Sequence, residues 1–504
     1  MNNKLEKFNS IIEAIQFHAD TSPDSDFCLD LTLDRAFSYL EFNHYINKCA
    51  NYIESLDDHK IKIISSAMRN SIEGLIIFFA SQKVGAAINP MPNSLSSREI
   101  QRNLEFVKPD LTFLEAEQKS NHFEGKQKIL YIDMDQRGFL DELDKFPNHY
   151  EDFPKPEDIS ALYYTSGTTS DPKCMEYSHK SQIHLIESIS RAFRFTKKNI
   201  HLGILPIGHT AITNYQLLPC LLNGSKLILV ENYMSVRQNF WEIISEEAVS
   251  YVQVVPTILI MVFNTPTDFL DFDQLKLDYI GCGSAPLGIE IQLQFQEKFG
   301  IPVANLYGLS ESGPSHFDDP LQSNWEPGGI GKPLDVNDCK IFRDDMTIAD
   351  SFEIGQIALK GENIFNGYYN NQEATIKAMH NGYFLTGDLG YYNNDGYFFF
   401  SDRSKDLIIK GGVNIFPGEI EEIISSLTEI EIAAVVGIPH KILGEDIVAF
   451  VKLKDGKNID KQSIIQKCRD NLQPMKVPSI IEFVDEVPTT PSGKIIKRSL
   501  LQNG

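Results

Sequence analysis

The residues best suited to chemistry lie between Tyr164 and Lys173, which read Tyr-Thr-Ser-Gly-Thr-Thr-Ser-Asp-Pro-Lys and directly follow the apolar run Ile159 to Tyr163. The hydroxyls of Thr165, Ser166, Thr168 and Thr169, the backbone amides around Gly167 and the Lys173 ammonium can together surround a triphosphate. The segment therefore predicts a loop that handles ATP. Gly167 and Lys173 also stand at P-loop separation, but Pro172 occupies the second glycine position and Cys174 stands where the magnesium-binding hydroxyl belongs. A P-loop is thus the weaker reading, and a plain Ser/Thr/Gly surface turn is the bland alternative.

Three further segments offer reactive groups. Asn305-Leu306-Tyr307-Gly308-Leu309-Ser310-Glu311 presents an aromatic face, a hydroxyl and a carboxylate at a strand end; Leu385-Thr386-Gly387-Asp388 adds a carboxylate; Pro491-Ser492-Gly493-Lys494 adds a lysine. Taken singly, these residues read as core aromatics, solvated charges and a surface lysine. Ser310 followed by Glu311 also suits a helix start.

The elements that must position these groups follow from the apolar pattern. Leu202 to Leu205, Leu227 to Val230, Tyr251 to Val255, Tyr279 to Cys282 and Val303 to Leu306 read as strands, separated by helix-like stretches such as Val236 to Ala248 and Gly288 to Phe299. This is the pattern of a mainly parallel sheet covered by helices. Polar or glycine-rich clusters fall at the strand ends, at Pro206 to Thr210, Gly283 to Pro286 and Tyr307 to Gly313, the edge where open α/β sheets bind ligands. Beyond Gly328 the texture changes to short strands, including Gly355 to Lys360 and a hairpin turn at Asn394-Asp395-Gly396. The charged break Asp402 to Asp406 then predicts a boundary near Lys405. The expected class is α/β: a large N-terminal domain, residues 1–402, of parallel sheets covered by helices plus a β subdomain, followed by a small mobile α+β C-terminal domain, residues 403–504.

A chain of 504 residues is too long for one core and predicts two or three domains. Its net charge of −23, from 46 basic and 69 acidic residues, argues against nucleic acid as a partner. The seven scattered cysteines contain no Cys-x-x-Cys and fit a reduced, cytoplasmic setting. The N-terminus lacks an apolar signal region, and Gln82 and Lys83 break the run Leu75 to Ala87, so neither export nor a membrane span is expected. His179 and His184 are five apart, off one helical face, and read as surface residues rather than metal ligands.

Read together and in order, these motifs make the chain resemble the adenylate-forming superfamily of acyl-CoA and aryl-CoA synthetases, peptide-synthetase adenylation domains and firefly-type luciferases, from about Ile12 to Arg498. The resemblance implies that Tyr307 stacks adenine, that Asn305 and the backbone of Gly283, Ser284 and Ala285 hold the base edge, and that Leu306, Gly308 and Leu309 complete this wall. It further implies that Asp388 accepts the ribose hydroxyls, with Arg403 on the far side of the sugar, and that Ser310 touches the α-phosphate. Glu311 holds the magnesium that accompanies ATP. Lys494 is implied to bridge the substrate carboxylate and the α-phosphate, offsetting the repulsion of two anions. His209 lies beside the acyl carboxylate, with Gly281, Cys282, Gly308 and Ser312 lining the acyl site. The resemblance also implies that Gly411 and Gly412 approach a pantetheine arm, although a hairpin turn explains the pair equally well, and that Lys405 is the hinge.

The implied activity is an AMP-forming ligation of an aryl or medium-chain carboxylic acid to coenzyme A, using ATP and Mg2+, with His209, Glu311 and Lys494 as catalytic residues. A stand-alone enzyme loading an acyl carrier protein is the alternative, and a nucleotide-binding scaffold or luciferase-like oxidase is a third reading. Gly208 to Asn214 carries no acidic residue to pair an ammonium group, which favours an acid with an uncharged tail over an amino acid. Ser170, Cys174, Ser310 and Gln356 depart from the family pattern. Ser170 and Cys174 would add side chains in a loop that usually moves freely.

Overall fold

A computed structural model describes residues 7–501 apart from 58, 122, 126, 135–136, 166–172, 266, 268–270, 324, 326, 412 and 489–494, and without the side chains of residues 165, 404 and 498. Ser166, Gly167, Thr168, Thr169, Gly412 and Lys494 thus lie outside the described residues, as does the side chain of Thr165.

Two large sheets carry most of the chain. One has the strand order Gly367–Tyr368, Lys173–Ser178, Ile159–Thr165, Ala87–Pro92, Ile63–Met68, Leu111–Glu115, Lys128–Ile132. The other runs Lys332–Pro333, Gly313–Phe317, Val303–Leu309, Ile280–Gly283, Tyr251–Val254, Ile200–Gly203, Lys226–Leu229, Asp26–Asp30, Arg35–Ser38. Both are parallel in the middle; the second has antiparallel strands at both edges, the first only at the edge formed by Gly367–Tyr368 and Lys173–Ser178. The strands expected from the apolar runs form, with ends shifted by up to three residues. The stretch Val236 to Ala248 is instead two helices, Tyr233–Val236 and Phe240–Glu246, the first capped by Asn232, whose side chain accepts from the Ser235 amide.

The two sheets share one apolar layer. Helix Ile72–Lys83 is buried on every side, so its sequence shows no polar stripe. Its Ile76, Phe78 and Phe79 join a cluster with Ile64 and Ile88 of one sheet and Phe27, Leu227 and Leu229 of the other. Ser71 caps this helix by accepting from the Gly74 amide, and a Ser38–Glu41 capping box opens the neighbouring helix Tyr39–Ser55. Lys83, which broke the apolar run in the sequence, is buried beneath the Phe153 ring at 3.6 Å.

A third sheet, built from Asn337–Phe342, Gly355–Gly361, Tyr383–Tyr392, Met379–His380 and Phe398–Arg403, forms the β region beyond Gly328. A fourth, from Ile408–Lys410, Val413–Ile415, Ile430–His440, Gly444–Leu453 and Ile480–Phe483, packs on helices Pro417–Ser425 and Lys461–Asn471 around its own core. No helix among the described residues is long and apolar enough to cross a membrane. All seven cysteines are free. His179 corrects the surface expectation: it is buried at the start of helix His179–Ala192, and burial pulls its pKa down to about 4.

Candidate active site

Lys173 shows why the phosphate loop is not a P-loop. Thr165 and Lys173 are direct partners in an antiparallel pair, so residues 166–172 join two strands of one hairpin. A P-loop lysine opens a helix; this one opens the strand Lys173–Ser178. Alternation along that strand sends Lys173 outward and Cys174 inward, where Cys174 packs with Ala87, Val107 and Leu162. Burial raises its thiol pKa to about 12. Cys174 is thus a core residue of the hairpin, and the expectation that it crowds the loop is corrected.

The Lys173 ammonium lies 3.3 Å from the Tyr368 hydroxyl and 4.6 Å from the centre of its ring. The same hydroxyl donates to Glu311 Oε1 at 2.8 Å. Tyr368 belongs to Gly367–Tyr368, an edge strand paired with Lys173–Ser178, which is how a residue far along the chain reaches the loop. Glu311 and Ser310 occupy the turn between Val303–Leu309 and Gly313–Phe317, not a helix start. The Ser310 carbonyl accepts from the Tyr177 hydroxyl at 2.6 Å, and the Glu311 carbonyl accepts from the Phe365 amide at 2.9 Å, so both ends of the turn are pinned.

The same hairpin reaches the third sheet. The Tyr307 hydroxyl donates to Asp388 Oδ2 at 2.7 Å, and Arg403 Nε stands 3.4 Å from Asp388 Oδ1. Asp388 and Arg403 are register partners in adjacent antiparallel strands. Burial and the adjacent Asp388 charge push the Tyr307 phenol well above its usual pKa, so it remains a donor. Asn305 gives its amide to the Gly329 carbonyl at 2.8 Å. Gly283 needs its missing side chain: a Cβ there would lie 2.4 Å from the Leu306 carbonyl. Ser284, next to it, holds φ at +69°, a left-handed conformation that turns this loop over the end of the sheet.

His209 is held by residues that carry no motif. A Cβ on Gly208 would lie 2.3 Å from the Met91 carbonyl carbon, so the loop touches the strand Ala87–Pro92 directly. Buried Asn70 donates to the carbonyls of Leu205 and Val230 at 2.8 and 3.1 Å and accepts from the Ile207 amide at 2.8 Å. His209 Nδ1 accepts from the Ala211 amide at 3.1 Å, which places the ring hydrogen on Nε2. Desolvation lowers its pKa to about 4, leaving a neutral imidazole that donates through Nε2.

Two of the expected acyl-site residues are fully buried. Cys282 points to the opposite face of its sheet from Gly281, into the cluster of Leu202, Val252 and Ile280, because neighbouring strand residues alternate. Ser312 is fully buried and its hydroxyl serves the turn, donating to the Gly313 carbonyl at 2.8 Å and accepting from the Leu309 amide at 3.3 Å. Gly281 lies two residues inside the carboxyl end of its strand, and Gly308 lies next to the end of its own. Gly411 sits at φ +61°, its amide bonded to the Leu443 carbonyl at 2.7 Å, and Lys405 is exposed in the turn Ser404–Asp406. Sequence reasoning missed Tyr368, Asn70 and Gly208. A tyrosine closing the run Asn366-Gly367-Tyr368 and a lone Asn-Ser before an apolar helix carry no chemical pattern of their own.

Comparison with known proteins accounts for this arrangement. The AMP-binding enzyme family profile matches residues 15–369, and the AMP-binding enzyme C-terminal domain profile matches residues 419–494. The chain belongs to the AMP-binding enzyme family, the adenylate-forming superfamily of acyl- and aryl-CoA synthetases. It is 33% identical over 352 residues to a long-chain-fatty-acid–CoA ligase of Bacillus subtilis, spanning 68% of this chain and 62% of that protein. It is 28% identical over 468 residues to a 2-succinylbenzoate–CoA ligase of a Geobacillus species, spanning 92% of each. The crystal structure of ATP-bound MatB from Rhodopseudomonas palustris superposes with a TM-score of 0.91 over 98% of both chains at 23% identity, a likeness of fold.

Proposed function

We propose that this protein is an AMP-forming ligase that joins a carboxylic acid to coenzyme A. The observation that carries this reading is the hairpin Val303–Phe317, which supports two groupings at once: Tyr307 with Asp388 and Arg403, and Glu311 with Tyr368 and Lys173. The first suits a nucleoside, with an aromatic face, a carboxylate for the ribose hydroxyls and a guanidinium beside it. The second suits its phosphates, with an ammonium and a hydroxyl-rich loop at one end and a carboxylate at the other.

In the first step the substrate carboxylate attacks the ATP α-phosphate, forming an acyl-adenylate and releasing pyrophosphate. Neutral His209 donates Nε2–H beside the substrate carboxylate and orients it without adding charge, and Lys173 meets the outgoing phosphates. Lys494 is assigned the bridge between the two anions. Glu311 fits a magnesium ion as one hard oxygen ligand: a single hydroxyl occupies its Oε1, no group of three potential ligands occurs among the described residues, and magnesium bound with a nucleotide needs only one or two protein carboxylates, supplying charge neutralisation at the phosphates. In the second step a thiol attacks the acyl-adenylate carbonyl and AMP leaves. That step is assigned to turning residues 403–504 about Lys405, bringing Gly411 and Gly412 to the adenylate in place of Lys494.

One assay tests the reading: ATP, AMP and pyrophosphate are followed with a panel of carboxylic acids, with and without coenzyme A, in wild type and Lys494→Ala. Acid-dependent AMP and thioester, both strongly reduced in Lys494→Ala, are expected. ADP as product refutes it, and adenylate formation without thioester moves the acceptor to a carrier protein.

A further inference from the structure

The face of the nine-stranded sheet that carries Gly281 holds an unusual set of polar groups. Register places residues in rows across its parallel strands: His201 beside Tyr251, then Gln253 beside Gly281 with Ala304 beyond, then Gly283 beside Leu306. The last of these rows lies at the carboxyl edge, next to the Ser284 loop. The Gln253 row is one step deeper.

Gln253 is completely buried, and neither its Oε1 nor its Nε2 has a hydrogen-bond partner. The Tyr251 hydroxyl, also buried and unpartnered, reaches up into the same row: a Cβ on Gly281 would lie 2.7 Å from it. Deeper still, the Tyr279 hydroxyl and both ring nitrogens of His201 are buried without partners. The cover over this face adds Gln216, whose Nε2 bonds the Leu202 carbonyl at 2.7 Å while its Oε1 is unpartnered. Gln216 lies in a π-helical turn, Thr213–Leu217, an irregularity that recurs at functional sites. Buried polar groups are almost always paired, so orphans gathered on adjacent rows of one face below a reactive edge call for a ligand.

The chemistry offered is an amide, two phenols and an imidazole. Desolvation lowers the His201 pKa to about 3, so it is neutral, and the rows hold no lysine or arginine to balance an anion. Two strand residues separate the Gln253 row from the Gly283 row, about 7 Å at 3.3 Å per residue.

We propose that the acid this enzyme activates carries a neutral hydrogen-bonding group, a hydroxyl or carbonyl, about 7 Å from its carboxylate, where it pairs with Gln253 and the Tyr251 hydroxyl. The assignment rests on the ligase reading for where the carboxylate sits. A purely hydrocarbon tail of the same length would leave the amide and phenol unpaired, which is how a polar site rejects an apolar analogue.

The test compares 6-hydroxyhexanoate with heptanoate, which places a methyl where the hydroxyl stood. Binding of each to the full-length chain is measured by calorimetry in the presence of a non-hydrolysable ATP analogue, in wild type, Gln253→Leu and Tyr251→Phe. Wild type is expected to prefer the hydroxy acid on the order of 100-fold. Each substitution should cut that ratio by about 10-fold, while melting temperatures stay at or above wild type because each change removes an orphaned group. Tyr251→Phe, nearly isosteric, decides the matter if Gln253→Leu disturbs the sheet. Equal or tighter binding of heptanoate, no binding of the hydroxy acid, or a ratio unmoved by both substitutions overturns the proposal. AMP release, measured separately with ATP, reads the other assignment: the expected preference without AMP supports the polar site and removes the ligase reading.

Discussion

Glu311 and Lys173 meet through one phenol, and that phenol sits 195 residues from the lysine. Tyr368 donates to the carboxylate and receives the ammonium, so it fixes the spacing of the two groups assigned to the phosphates. In Tyr368→Phe the ring stays beneath Lys173 and only the hydroxyl is lost. Steady-state kinetics should show the KM for ATP rising about 10-fold with a smaller change in kcat, as expected for one lost hydrogen bond to a charged group. A variant with wild-type KM would show that the loop is positioned by other means. His209 leads to a pH prediction. With its pKa pulled down to about 4, it is already neutral above pH 5, so acid binding should show no step from this group between pH 6 and 8. A step near 6.5 that disappears in His209→Asn would contradict the tautomer assigned here.

Elements place these residues through contacts that a motif does not contain. The loop bearing His209 leaves its strand, touches the other sheet at Met91 through Gly208, and is tied by Asn70, which bonds its Leu205 carbonyl and Ile207 amide and also the Val230 carbonyl at the end of the neighbouring strand. Asn70→Ala strands two carbonyls and one amide in a buried setting. Unfolding by denaturant should show a loss of about 3 kcal/mol, and acid KM should rise even though Asn70 touches no substrate. A change below about 0.5 kcal/mol would mean that the loop is held by packing alone. The nine-stranded sheet works the same way: alternation turns Cys282 into the core and leaves Gly281 on the face where Tyr251 and Gln253 lie.

Across the whole molecule, burial also sets a stability response to pH. Asp318 lies behind the Val303–Phe317 hairpin, accepting from Trp325 Nε1 at 2.8 Å and Gln292 Nε2 at 3.3 Å, and desolvation raises its pKa to about 7. A carboxyl raised in the folded state contributes stability that is fully present below its ordinary value near 4 and is lost as pH climbs through 7. Thermal melts should therefore show an Asp318-dependent decline between pH 4 and 7, at most about 4 kcal/mol. The decline should flatten in Asp318→Asn, and an unchanged profile in that variant would assign it to other groups.

The motifs were legible because each packs its chemistry into a few consecutive residues at a strand end: the loop through Lys173, Tyr307 to Glu311, and Leu385 to Asp388. Strand periodicity likewise marked the central strands to within three residues, since a buried parallel strand must be apolar whatever surrounds it. The partners of those motifs were not legible. Tyr307 meets Asp388 across 81 residues and Asn70 meets Leu205 across 135, and nothing local to either member signals the other. The helix start that Ser310-Glu311 also suited is a hairpin turn, and His179 went inside, because neighbouring strands and helices outweighed local preference. Sequence alone thus determined the class of chemistry and the order of its parts, for these depend on residue type and close spacing. Tertiary structure decided which side chains share a site, which face a glycine opens and which polar groups are left without partners, because pairing and burial exist only once distant strands are laid side by side.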